Sequence, residues 1–147
     1  MCVFAFILFA FMIIQPFLDE TMIVDTLKNN GITSGNFLFV FIYIVLINAA
    51  LEEIFFRGFV FLTLYNKGFK SYSHIYSCLL FSVYHIAILN NAVTIGMLIF
   101  LTAGLAVSGL IFNGFVLKCK NISGSLIVHI SANFALNLII GVYYLFN

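Results

Sequence analysis

Residues 37–65 form one apolar run long enough to cross a bilayer, and near its middle stand three formal charges, in the order Leu51-Glu52-Glu53-Ile54-Phe55-Phe56-Arg57-Gly58. A run of this length and apolarity reads as a membrane-spanning helix. On insertion scales the three charges together cost roughly 8 to 10 kcal/mol at the bilayer centre if nothing compensates them. Their presence calls for a partner or a function.

The composition points to the same solvent. Of 147 residues, 64% are hydrophobic and 7% charged, and the mean hydropathy is +1.20. That leaves too little polar surface to cover a soluble domain of this size, so the chain is expected to be an integral membrane protein. A net charge of +1 gives no basic field for nucleic acid. The polar residues are scattered rather than gathered into a tail, so residues 1–147 are expected to form a single membrane domain. Cys2, Cys78 and Cys119 lie in separate segments and do not suggest a disulfide framework.

Five helices are expected along the chain. The first apolar run, residues 2–18, ends at Asp19-Glu20; it has no positive n-region and no small-residue cleavage site, so it reads as a retained helix rather than a signal peptide. Residues 21–36 read as a polar connector with turn material at Asn29-Asn30-Gly31 and Ser34-Gly35-Asn36. The second helix covers 37–65, the third 72–89, the fourth 92–117 and the fifth 123–146. Gly96, Gly104, Gly109 and Gly114 lie along the fourth, where small residues let membrane helices approach closely. If five helices alternate, Lys67, Lys70, Lys118 and Lys120 share one side against Lys28 on the other, which puts those loops in the cytoplasm. The fold class expected is therefore all-α: a polytopic membrane helix bundle with its N-terminus inside, multi-pass in the plasma membrane.

Spacing sorts the buried polar groups. Glu53 and Arg57 stand four apart with the acid first, the favourable order for an ion pair on one helical face. Glu52 is turned about 100° from Glu53 and shares its face with Asn48 and Phe56. Asn48 is placed to orient it. Phe81 and His85 repeat the four-residue relation in the third helix, as His129 and Asn133 do in the fifth. At a rise of about 1.5 Å per residue, Glu52, His85 and Asn133 fall at comparable depth in the inner half of the membrane, with His129 about a turn closer to the cytoplasm. A carboxylate and a histidine can hold and deprotonate a water, while a second histidine and a carboxamide can donate to the oxyanion of a tetrahedral intermediate. That set of groups describes peptide hydrolysis.

At these residues the sequence resembles a known family. Glu52-Glu53 with Arg57, Phe81 with His85, and His129 with Asn133 look like the three signatures of the CPBP (Abi) intramembrane proteases, best known for the type II CAAX prenyl endopeptidases. The resemblance covers residues 36–146 as a catalytic core, with 1–35 an extra helix and connector. It implies Glu52 as the water-activating base with His85 as its partner, Glu53 and Arg57 as a structural pair, and His129 with Asn133 as oxyanion binders. It also implies a choice of mechanism. If a divalent metal such as zinc is bound, its ligands are Glu52, His85 and His129; otherwise the glutamate acts without metal. The chain has no HExxH and no cysteine ligand pair.

The expected function is an intramembrane endopeptidase acting on a membrane-attached or prenylated-type peptide. The alternative is a non-catalytic membrane protein of the same fold in bacteriocin immunity, peptide export or binding of a membrane partner protein. One observation separates them: whether Glu52 is needed for activity.

Overall fold

The computed structural model describes residue 12 and residues 20–89 and 93–146. The expected first span, residues 2–18, lies outside the described residues apart from Met12. From Glu20 onward the helices are, in order, α1 (Glu20–Asn29), α2 (Phe37–Asn66), α3 (Lys70–Leu89), α4 (Ile95–Cys119) and α5 (Ser123–Phe146). The described residues contain no strand, and the chain is an all-α membrane protein.

Three stretches are long and apolar enough to cross a membrane: Phe37–Asn66, Ile95–Cys119 and Ser123–Val142. Helix α3 also forms where a span was expected, but it is not among these three. Lys70, Ser71, Ser73, His74, Ser77, Ser82 and His85 lower its hydropathy.

The connector expected over residues 21–36 is corrected: its first part is α1. Lys28 in its last turn complements the helix dipole. Turn chemistry then acts as expected. Gly31 takes φ 75°, with its N–H on the Lys28 carbonyl and that of Ile32 on Leu27. Gly68 repeats the motif at φ 93°, its N–H on Tyr65 and that of Phe69 on Leu64. In both places a residue without Cβ reverses the chain while satisfying the last helical carbonyls. Between α4 and α5, Lys120 at φ 58° ends one helix, and the Asn121 side chain accepts the Ser123 N–H at 2.9 Å to start the next.

Contacts divide the chain into two compact units, Met1–Ala49 with Val128–Asn147, and Ala50–Ile127. In the first, Phe41 sets its ring edge-on to Phe134 with centroids 5.6 Å apart, and Gly141 packs so closely on Phe37 that a Cβ there would lie 2.8 Å from the ring. In the second, Gly109 of α4 meets α3 so tightly that a Cβ would lie 2.8 Å from Cys78 Cβ and 3.0 Å from its Cα. Of the four glycines expected to pack along α4, Gly109 alone does so; Gly96, Gly104 and Gly114 have open space where a Cβ would be.

Helix α2 is not a regular 3.6-residue helix. Two stretches, Tyr43–Asn48 and Glu53–Phe61, are π-helical, separated by the α-helical turn Ala49–Glu52. At the end of the second, the Leu62 N–H bonds to the Arg57 carbonyl five residues back. Such widened turns are rare and recur at functional sites.

Candidate active site

Helix α2 buries consecutive charges. Glu52 is 5% exposed, and Glu53 and Arg57 are fully buried. The 100° offset expected of a regular helix would carry one of two neighbouring glutamates away from the interior. Here Glu52 closes the α-helical turn, the π stretch begins at Glu53, and both carboxylates are enclosed.

The ion pair expected from spacing is present: Arg57 Nη1 lies 3.2 Å from Glu53 Oε1. The guanidinium has three aromatic neighbours, two of them from other helices. Its central carbon stands 4.1 Å from the centroid of Phe81, 4.8 Å from Phe112 and 5.9 Å from Phe56. An aromatic face attracts a cation through its quadrupole, by about 2 kcal/mol or more where water is absent. Phe81 also packs edge-on to Phe56 at 5.4 Å and lies 6.0 Å from Phe112. Glu53 supplies the countercharge and three phenylalanines supply the walls.

His85 meets Glu52. Its Nε2 lies 3.7 Å from Glu52 Oε2, and its Nδ1 lies 2.8 Å from the Phe81 carbonyl. A carbonyl oxygen only accepts, so Nδ1 carries the proton in that contact. In the neutral ring, Nε2 then keeps its lone pair toward Glu52. The imidazole lies against Phe81, with centroids 4.6 Å apart, and against Tyr84 at 5.4 Å and 88°.

The remaining expected residues belong to the first unit. Asn48 is half-buried at the end of the first π stretch. His129 is 3% exposed on α5. Asn133, one turn on, donates from Nδ2 to the Ile44 carbonyl at 3.2 Å, and its own carbonyl accepts from Asn137 Nδ2 at 2.9 Å. One of its two amide protons is thus committed to backbone within the first π stretch.

Sequence reasoning missed three participants. Phe112 looked like any apolar residue of α4. Asn113 is fully buried beside it and donates to the His74 carbonyl at 3.4 Å. Ser77 is fully buried and donates to the Phe56 carbonyl at 2.9 Å; its place four residues before Phe81 and eight before His85 was the available signal.

Within the second unit Glu52 and His85 stand as a pair, and His129, the third ligand that the metal-bound reading takes, belongs to the first unit.

A family model described as Type II CAAX prenyl endopeptidase Rce1-like matches residues 34–135, a range that includes Glu52, Arg57, Phe81, His85, His129 and Asn133. No curated protein and no solved structure matches the chain.

Proposed function

Because this chain belongs to the Rce1-like family of type II CAAX prenyl endopeptidases, we propose that it is an intramembrane endopeptidase whose Glu52 activates water to hydrolyse a peptide bond. The substrate proposed is a membrane-associated or lipidated protein, with a prenylated peptide as its first form, since the family description reads CAAX prenyl endopeptidase.

Support comes from the facing of Glu52 Oε2 and His85 Nε2 at 3.7 Å. That separation is too long for a direct hydrogen bond and short enough for one water to touch both atoms. Glu52 takes a proton from this water, and the water oxygen forms its bond to the scissile carbonyl carbon. His85 orients the water through the Nε2 lone pair, while its Nδ1–H stays on the Phe81 carbonyl. As the tetrahedral intermediate collapses, the C–N bond breaks and the proton held by Glu52 passes to the leaving amine. General-base assistance of this kind contributes typically about 10²- to 10⁴-fold.

His129 and Asn133 are assigned to the developing oxyanion from the family motif. Asn133 retains a second amide proton for that role beyond the one on Ile44. Glu53 and Arg57 neutralise each other and take no part in proton transfer. No step is assigned to a metal.

The experiment is cleavage of a quenched-fluorescent farnesylated peptide by purified protein in nanodiscs. Glu52→Ala and Glu52→Gln are expected to abolish turnover at unchanged membrane abundance. His129→Ala and Asn133→Ala should each lower kcat by about 10²- to 10³-fold, as loss of an oxyanion donor does. Normal turnover by the Glu52 variants would end the proposal.

A further inference from the structure

Four serines in these helices satisfy their hydroxyls locally. Ser73 donates to Lys70 O at 2.6 Å, Ser82 to Leu79 O at 3.0 Å, Ser108 to Gly104 O at 2.9 Å and Ser125 to Ile122 O at 3.0 Å. This back-bonding to a carbonyl three or four residues earlier is the habitual choice of a helical serine. Ser77 does otherwise. Its Oγ leaves α3 and donates at 2.9 Å to the carbonyl of Phe56, across to α2 and inside the π stretch Glu53–Phe61.

The residues beside it explain why that matters. Ser77, Phe81 and His85 follow at intervals of four along one stripe of α3, and each meets α2. Ser77 holds the Phe56 carbonyl, Phe81 packs on Phe56 and Arg57, and His85 faces Glu52. The packing of Phe81 on Phe56 is apolar and less directional than a hydrogen bond, so it tolerates more sliding of one helix along the other. A hydrogen bond between a buried hydroxyl and a backbone carbonyl has a distance and an angle to satisfy, and it resists that sliding. It also anchors a carbonyl in a widened turn, where backbone spacing departs from the regular helix.

We infer that Ser77 is a positioning residue: its hydroxyl on the Phe56 carbonyl fixes the axial register of α3 against α2 at which His85 Nε2 faces Glu52 Oε2. Ser77 touches neither reacting atom. The inference rests on the proposed pairing of Glu52 with His85, and a displacement of about 1 Å between such groups can lower a rate about 100-fold.

The test compares Ser77→Ala and Ser77→Thr in nanodiscs with the farnesylated peptide as probe. Ser77→Ala should lower kcat by about 10- to 100-fold with KM within about twofold, because a register shift disturbs the reacting groups and leaves the binding surface. Ser77→Thr keeps the hydroxyl and should recover most of the loss. A second readout needs no cleavage: in 15N-histidine-labelled protein, the His85 ring resonances, assigned by their loss in His85→Gln, should move in Ser77→Ala and return in Ser77→Thr. If Ser77→Ala does not accumulate, Ser77→Cys, of similar size but a weaker donor, is measured in its place. Unmoved His85 resonances, or a kcat within twofold of the parent in a folded variant, overturn the inference. Should Glu52→Gln retain turnover while the resonances move as expected, the register role stands and the proposed function falls.

Discussion

Arg57 lies with its guanidinium carbon 4.1 Å over the ring of Phe81, so two residues from separate helices share one contact. The same phenylalanine gives its carbonyl to His85 Nδ1 at 2.8 Å. Phe81 thus joins the buried cation to the imidazole that faces Glu52. The ion pair and the proposed catalytic pair are mechanically linked through one aromatic residue.

Removing the cation should unfold the site rather than merely slow it. Arg57→Ala leaves Glu53, which is fully buried, without its countercharge, and breaking such a pair costs about 3 to 5 kcal/mol. The expected outcome is a large loss of membrane-inserted protein and of thermal stability in detergent. The double variant Glu53→Gln with Arg57→Met should recover much of it, because it removes both charges. Normal abundance of Arg57→Ala would show that the pair is not structural.

Phe81→Leu keeps bulk and removes the aromatic face. Loss of the cation–π contact should lower stability by about 1 to 2 kcal/mol, seen as a lower melting temperature. The change should also lower kcat, since the His85 ring loses the aromatic ring tilted against it at 4.6 Å. Glu53→Gln controls for a change in the ion pair alone.

His85→Ala should reduce turnover by about 10²- to 10⁴-fold with little change in folding, because His85 lies at the partly exposed end of the contact, 17% exposed against 5% for Glu52. Measured cleavage within tenfold of the parent would remove His85 from the reaction.

Metal dependence is open to direct measurement. If Glu52 activates water as a base without metal, as proposed, cleavage continues within about twofold after dialysis against a strong chelator, and metal analysis finds well below one ion per chain. Loss of activity restored by added zinc would reverse this expectation.

Gly109→Ala places a Cβ 2.8 Å from Cys78 Cβ and 3.0 Å from Cys78 Cα, the latter a backbone atom that cannot yield without moving α3. Overpacking of this kind typically costs about 1 to 3 kcal/mol. Gly104→Ala, with nothing within 4 Å, should be neutral to stabilising. A melting-temperature series on the two variants distinguishes a close helix contact from general sensitivity to added methyl groups.

Much of this was legible in the chain. The Glu53–Arg57 pair and the Phe81–His85 relation follow from spacings of four, because residues that close in sequence are placed by local helix geometry. The stops at Gly31 and Gly68 were likewise readable, since they depend on one residue's freedom at positive φ. Helix α1 was missed because its ten residues, too few to cross a membrane, lie between two longer apolar runs and read as their connector. The two π stretches were missed too: no residue type in Tyr43–Asn48 or Glu53–Phe61 marks a widened turn. In each stretch a carbonyl is bonded by a side chain from elsewhere, Ile44 by Asn133 and Phe56 by Ser77.

From the order of residues alone come the lipid-embedded helical class, the positions of the charged and imidazole groups along each helix, and the partner of any residue lying within one turn. Tertiary structure decided that Phe81 and Phe112 enclose Arg57, that Ser77 reaches across to α2, and that Glu52 and His85 stand 3.7 Å apart. The physical reason is range. Apolar patterning says which face of a helix is buried but leaves its rotation and axial position free, and those two variables are set by directional contacts between segments far apart in the chain.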